Sequence, residues 1–506
     1  MSLFSPWNLY RWFISSHLAR QNIPRDLCCP RHVNAFLSLP NELLVDVLAR
    51  LDYSSIFAVR MTCKKLYQIT LSPHLWFGVI GRLQLECGIV PPEEGMSKYS
   101  AKGLEDWVSR RSMAYAALNS QKLAQPHVRL IDLKTRDIDN LVIPEPYLLP
   151  GGRWFLLAHS TSRMLVYDLD SVAPIRKCLF NPLDFDKKLV SEYVRYAFWF
   201  DHSSPRFSFY VAGNAFDADN ARSFIYAVQL SGHGANATLT ASFVAAFHSS
   251  SRKDWYLGRF ALNKRYYIEV RGDPNDSKVQ SILAYEFQHA PGSGGYCSIK
   301  PAAQTCFVGD RICLAAFIYD DVLAICTTRD ALRLYDIVDS GSATSRTSPT
   351  TFKLLHTVPF CFNFYSDIRW SPLESYMVAI TREGEFKGLR IPHDRSEPPT
   401  VLELGRQEKF WNKMTGWKLD TSFSISQSAY DAPMEITCHP WINVRGDPPS
   451  LNCLVPPLDG FRVPYLGMRS KIIGFSEDLG RFVIYNDGSH TSVVVVDFTA
   501  THYLHK

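Results

Sequence analysis

One phrase of sequence returns along this chain: a short apolar run built around a tyrosine or an aliphatic residue in its place. Met164-Leu165-Val166-Tyr167-Asp168-Leu169 and Leu332-Arg333-Leu334-Tyr335-Asp336-Ile337 are its clearest copies. Phe224-Ile225-Tyr226-Ala227-Val228, Leu283-Ala284-Tyr285-Glu286-Phe287, Lys387-Gly388-Leu389-Arg390-Ile391 and Val494-Val495-Val496-Asp497-Phe498 are weaker ones. Aligned on Tyr167, Tyr226, Tyr285, Tyr335, Leu389 and Val496, the steps are 59, 59, 50, 54 and 107 residues. The last step is about twice the others, which predicts a diverged copy near residue 442. Upstream of the two clearest copies, Trp154-Phe155-Leu156-Leu157-Ala158 and Val322-Leu323-Ala324-Ile325-Cys326 read as the preceding strand of a hairpin. Units of this length with several strands each predict the blades of a β-propeller, seven by this count with six as the alternative. Residues 125–506 exceed the ~250–300 at which a single hydrophobic core stops growing, whereas a ring of blades spreads burial over repeats. Val128-Arg129-Leu130-Ile131 precedes the first copy and is placed to complete the last blade. A two-domain β-sandwich assembly is the competing architecture.

Composition agrees. The 506 residues are 46% hydrophobic and 20% charged, enough to build a large core. Aromatics at 13%, with 30 Pro and 27 Gly, favour strands and turns. The net charge of +5 is too small to predict a nucleic-acid partner. Twelve cysteines form no C-x-x-C pair: Cys28 and Cys29 are adjacent, while Cys63, Cys313 and Cys326 stand singly among apolar residues. This pattern reads as reduced thiols in a cytoplasmic or nuclear setting, with no metal or cofactor. No apolar run reaches the ~18 residues of a membrane-spanning helix. Residues 1–34 mix Trp7, Tyr10, Trp12 and Phe13 with Arg11 and His17. They read as a poorly ordered leader, with a short amphipathic helix as the alternative.

Before the repeats the pattern is helical. Leu39-Pro40 opens a helix carrying Leu43, Leu44, Val47, Leu48 and Leu51 at helical spacing. Asp52-Tyr53-Ser54-Ser55 interrupts it and supplies a cap. A second helix is expected to carry Ile56, Val59, Cys63, Leu66 and Tyr67 on one face, and Ser72-Pro73 to start a third through Leu75 and Trp76. Pro91-Pro92 breaks the chain before one more helix over 100–118. The expected division is a leader at 1–34, a helical domain at 35–84, a helical linker at 85–124 and the β domain at 125–506.

From Leu39 to Trp76 the sequence resembles the F-box. The match runs in order through the Leu-Pro start, the paired Leu43-Leu44, the Leu51-Asp52 break, Ile56, Val59 and Arg60, Cys63 followed by Lys64-Lys65, and a final Leu75-Trp76. Thr62, where an aliphatic is usual, and Leu66, where an aromatic is frequent, depart from the pattern. With a long β region downstream, the arrangement is similar to the large F-box families of filamentous fungi. The resemblance implies a Skp-type adaptor bound by Leu39, Pro40, Leu43, Leu44, Val47, Leu48, Leu51, Ile56 and Val59. Through that adaptor it implies a cullin–RING ubiquitin ligase of the SCF type, with this chain as the non-catalytic receptor of an unknown protein substrate. An F-box protein acting outside a ligase, in trafficking or transcription, is one alternative; a propeller hydrolase is another.

Target-binding candidates follow from the enrichment of Trp, Tyr and Arg at interface anchors: Arg153, Trp154, Trp255 and Trp370, all near the blade copies. Other motifs read as structure. Arg271-Gly272-Asp273 and Arg445-Gly446-Asp447 precede Pro and look like turns, and the Gly-rich Pro291-Gly292-Ser293-Gly294-Gly295 lacks the Lys-Ser/Thr of a phosphate cradle. No G-x-S-x-G or H-E-x-x-H motif occurs.

Overall fold

The computed structural model describes residues 36–119 and 127–498, less 134–144, 159–162, 172–173, 175, 185–192, 217–220, 250–259, 273–278, 288–301, 309–311, 328–330, 340–349, 361–363, 366–367, 382–384, 407–415, 420–422, 428–433, 439–469 and 487–491. The chain forms two compact units, Met1–Leu83 with Tyr99–Ser109, and Gln84–Lys98 with Arg110–Lys506. The leader at 1–34 lies outside the described residues, as do the Gly-rich run and Arg445-Gly446-Asp447.

The first unit contains helices α1 (Asn41–Leu48), α2 (Tyr53–Arg60), α3 (Lys64–Thr70), the main part of α4 (Pro73–Cys87) and the start of α5 (Ala101–Asn119). Asp52 caps α2: its carboxylate accepts from the Ser55 amide and the Ser54 hydroxyl, each at 2.7 Å. Where the sequence predicts one second helix there are two. The Thr62 hydroxyl donates to the Val59 carbonyl at 2.7 Å, and Cys63 takes extended backbone (φ −159°) before α3 begins. A side chain that satisfies the end of a helix in this way competes with its continuation. Leu44, Leu48, Ile56, Leu66, Leu75, Trp76, Val79, Ile80, Leu104 and Val108 are all buried in the core. The Trp76 indole N–H donates to the Thr70 carbonyl at 3.0 Å, so the largest core side chain leaves no polar atom without a partner. Arg60 ties α2 to α3 and α5 by donating to Thr70 Oγ1 at 2.9 Å and Glu105 at 2.8 Å.

The second unit is all β apart from its helical edges. Six antiparallel sheets of four or five strands occupy 145–180, 193–249, 260–308, 312–359, 364–406, and 470–497 joined by 127–132. These are complete propeller blades. A further three-stranded sheet covers 416–438, close to the diverged copy that the doubled step predicts. The central strands are apolar throughout because they are covered on both faces: Trp154–Ala158 and Val322–Thr327 are buried at every position. Side-chain alternation then divides each strand between two neighbours. Trp154 and Leu156 pack towards the blade at 193–249, whereas Phe155 and Leu157 join Val483, Val493 and Val495 of the closing blade. Leu323 and Ile325 likewise face the blade at 260–308, while Val322 and Ala324 face the one at 364–406.

The ring closes as the sequence predicts. Strand His127–Asp132 pairs antiparallel with Ser492–Asp497, from His127 opposite Asp497 to Asp132 opposite Ser492, and so supplies the fourth strand of the last blade. A charge cluster holds this junction. Arg481, 1% exposed, forks onto Asp497 and donates to the Gly152 carbonyl at 2.7 Å. Arg129, from the closing strand, reaches the same Asp497 at 3.0 Å. Arg481 also meets Asp170 at 2.9 Å, which takes a two-pronged contact from Arg110. Although burial works against ionisation, Arg110, Arg481 and Arg153 hold the Asp170 carboxyl well below the usual carboxylate range.

Removing one member of a buried pair strands the other, at a cost of about 3–5 kcal/mol. Asp497→Ala is therefore expected to lower the stability of the propeller by about 3 kcal/mol, read as a fall in the urea midpoint of its unfolding. Asp394→Ala, at a surface turn, is the control and is expected to leave that midpoint within about 0.5 kcal/mol.

Candidate functional site

In the helical unit the residues expected to meet a partner fall into two sets. Leu44, Leu48 and Ile56 are at most 1% exposed and form the unit's own core. Leu39, Val47, Leu51 and Val59 are partly exposed, and Pro40 and Leu43 are exposed, Leu43 at 49%. Sequence periodicity places Leu43 and Leu44 in the same stripe, yet they serve different surfaces. Four further large apolar side chains of this unit are exposed: Phe57, Met61 at 74%, Tyr67 and Leu71. The sequence reading omitted all four as partner-facing residues. Their signal was the break of the second helix at Met61-Thr62, which takes Phe57 and Met61 off the buried face.

The second unit carries its own feature at turns between first and second strands of four blades and, in the second blade, also at the turn between third and fourth strands. Segment 84–98 runs across these turns in four blades. The Gly88 carbonyl accepts from Arg369 at 3.0 Å, and Arg369 pairs with Asp478 at 2.7 Å. The Glu93 carbonyl accepts from the Phe207 amide at 2.7 Å. The Glu93 side chain accepts from the Trp154 indole at 3.0 Å and from Arg153 at 3.4 Å. Glu94 accepts from the Gly234 amide at 2.7 Å and lies 3.1 Å from His233 Nδ1. Gly95 turns the chain with φ of +84°, where any side chain would come within 2.5 Å of the Pro205 carbonyl oxygen.

Three of the four target-binding candidates are engaged inside this assembly. Trp154 is buried, with its indole N–H on Glu93. Arg153 forks onto Asp168 at 3.0 and 2.8 Å and stacks 4.6 Å over the Trp154 ring. Trp370 stacks on His202 with ring centroids 4.3 Å apart and planes 3° from parallel. Trp255 lies outside the described residues. These side chains fasten the chain to itself; the sequence shows the anchor type but not the acidic segment that occupies it.

Among the described residues one serine–histidine pair has catalytic residue types, without catalytic geometry. Ser375 Oγ is 2.9 Å from His393 Nε2, but Ser375 is fully buried and His393 Nδ1 faces the Pro372 carbonyl instead of a carboxylate. A nucleophile needs both an orienting group and access. Asp320 and Asp321 form a tight hairpin turn, Asp320 at φ +39°, with Asp321 accepting from Asn263 at 3.0 Å. Among the described residues no group of three His, Cys, Asp or Glu side chains could hold a metal ion, and no helix is long and apolar enough to cross a membrane.

Residues 36–80 match the F-box-like family. The chain thus carries an F-box-like domain followed by a β-propeller region with six complete blades. No curated protein matches the sequence. Among solved structures, the β-propeller domain of Cps50 (Swd1) from Myceliophteria thermophila aligns at 8% identity and a TM-score of 0.38, over 71% of this chain and 98% of that one. Sqt1 from Chaetomium thermophilum aligns in two crystal structures at 14% identity and a TM-score of 0.37, over 71% and 69% of this chain and 82% and 81% of those. At such TM-scores these likenesses add nothing to the topology described above.

The attachment of segment 84–98 has a calculable pH dependence. Burial pushes the Glu93 carboxyl from its ordinary 4.5 up to about 7, against the pull of Arg153 and with the push of Asp170. Between these values folded Glu93 retains a proton that the unfolded chain has lost, so its contribution to stability falls as pH rises from 4.5 to about 7. Glu93→Gln keeps an accepting oxygen for Trp154 and removes the titration. Thermal unfolding at pH 5 and pH 8 is expected to show a smaller loss in this variant than in the wild type.

Proposed function

We propose that this protein is the substrate-recognition subunit of an SCF-type ubiquitin ligase. Its F-box-like unit binds a Skp-type adaptor, and its propeller holds a protein target. The observation that carries this reading is the exposure of Leu43, Phe57, Met61, Tyr67 and Leu71 on a unit whose core is already filled by Leu44, Leu48 and Ile56. Exposed apolar area of this kind on a small helical unit marks a protein–protein contact. The F-box-like match at residues 36–80 supports a Skp-type adaptor as that partner. No covalent step takes place on this chain in such a complex; its contribution is to raise the effective concentration of target lysines near the conjugating enzyme. Arg153 and Trp154, expected as target anchors, are already engaged by Glu93.

The distinction between core and surface gives a two-variant test. Leu43→Asp is expected to leave thermal unfolding of the protein unchanged and to weaken adaptor co-purification by roughly tenfold or more, as a charge placed in an apolar interface does. Met61→Asp should behave alike. Leu44→Asp should instead unfold the helical unit. Equal adaptor recovery with Leu43→Asp, Met61→Asp and wild type overturns the assignment of this surface. Adaptor recovered without cullin would place the protein outside a ligase.

A further inference from the structure

A cavity of about 380 Å³ lies where the outer strand of the first blade meets the outer strands of the second. Its aromatic lining is Phe180, Tyr226 and Phe243, backed by Leu179, with Asn181 and Asp184 as its polar members. The rings come from three strands, Lys177–Phe180, Ala221–Ser231 and Thr238–Ser249. Phe180 and Tyr226 stack with centroids 4.3 Å apart, and Phe243 meets Tyr226 edge-on at 5.6 Å and 77°. The polar end is built by the turn that follows the first of these strands. The Asn181 side-chain Oδ1 accepts from the Leu183 amide at 3.3 Å, and its Nδ2 donates to Asp184 at 3.0 Å. This fixes an exposed carboxylate beside three buried or half-buried rings.

Of the side chains that line the cavity, the charged one is Asp184. Aromatic faces present negative quadrupole charge, and Asp184 adds a full one. That charge is felt at the ring: burial first, then Asp184, push the Tyr226 hydroxyl above its ordinary range, so it stays a neutral phenol. The neighbouring cations are not part of the lining: Lys177, on the same strand, donates to Thr238 Oγ1 at 2.9 Å, and Arg163 and Arg176 act on the Cys178 thiol of that strand. Apolar walls that would cover a methylene stem, ring faces and one carboxylate together fit an organic cation on an aliphatic chain.

We propose that this cavity binds a lysine side chain of the target protein, with the stem against Phe180 and Phe243 and the ammonium at Asp184. The inference rests on the reading of the propeller as the target-binding unit and names one chemical element of the target. It differs from the adaptor contact in residues, partner and unit.

Fluorescence anisotropy on the full chain tests it, with a labelled octapeptide of alternating lysine and alanine as probe. The same peptide acetylated on every lysine keeps the stems and loses the charges. The lysine peptide is expected to bind, and the acetylated peptide to bind about tenfold more weakly, a ratio set by losing cation–π and carboxylate contacts together. Asp184→Asn and Phe243→Leu are each expected to weaken binding of the lysine peptide by roughly fivefold, the second without any change of charge. Unchanged thermal unfolding checks that both variants fold. Equal binding of the two peptides, or affinities unaltered by both variants, overturns the proposal. Adaptor co-purification is measured in parallel: loss of pocket binding with adaptor intact sinks the pocket alone, and loss of adaptor binding with peptide binding intact sinks the ligase reading alone.

Discussion

The propeller depends on the pairing of His127–Asp132 with Ser492–Asp497. A ring of blades is covered on every inner face only when it is closed; an open ring exposes one blade's apolar side and an unpaired strand edge. Here the closing strand and its partner are far apart in the chain: Arg129 and Asp497 are 368 positions apart, yet their side chains meet at 3.0 Å. Joints between other blades are set by apolar alternation along the strands. The closing joint adds a charge knot with the buried pair Arg481 and Asp497 at its centre, in which Arg129, Asp170 and Arg110 also face opposite charges. Such a knot is costly in any wrong register, because each slip leaves a desolvated charge unmatched. The apolar strands supply the burial, and the charges supply the choice of partner strand.

Segment 84–98 is held by the same physics on a smaller scale. Glu93 and Glu94 bring two carboxylates to turns that offer Arg153, the Trp154 indole, His233 and the Gly234 amide. Asp478 serves this segment from the propeller side by pairing with Arg369 and accepting from the Val90 amide at 3.4 Å. Of the stretch 85–124 that reads in sequence as a helical linker, the part around Pro91-Pro92 up to Lys98 clusters with the β unit and Tyr99–Ser109 with the helical one. The anchor-type residues at these turns are the fastenings of segment 84–98.

Much of the fold was legible because its determinants are local. The tyrosine phrase recurs because Tyr167, Tyr226, Tyr285 and Tyr335 occupy the third strand of successive blades, buried in each case. Asp52 reads as a cap because capping needs only the next three residues. The rest turned on contacts that leave no local pattern. Leu43 and Leu44 are adjacent and alike, and only the packing of the neighbouring helices decides which one is exposed. Arg153 and Glu93 are 60 positions apart, so nothing near Arg153 announces that it is engaged. The aromatic cavity draws on three strands of two blades and has no motif at all.

Exposed apolar residues are distributed differently in the two units, and the difference is physical. In the propeller, Leu130, Leu354 and Leu373 are exposed on three separate blades. Apolar residues scattered singly in this way need no partner to explain them. The helical unit instead exposes Leu43, Phe57, Met61, Tyr67 and Leu71 within 29 consecutive residues. Helices α1, α2 and α3 are 8, 8 and 7 residues long. Helices this short are marginal alone and depend on tertiary packing. Packing within the unit accounts for the burial of Leu44, Leu48, Ile56 and Leu66, and among its described residues Leu43, Phe57, Met61, Tyr67 and Leu71 are left exposed. Among the described residues the unit thus fills a core and still exposes five large apolar side chains within one short stretch, the kind of surface that marks a protein–protein contact.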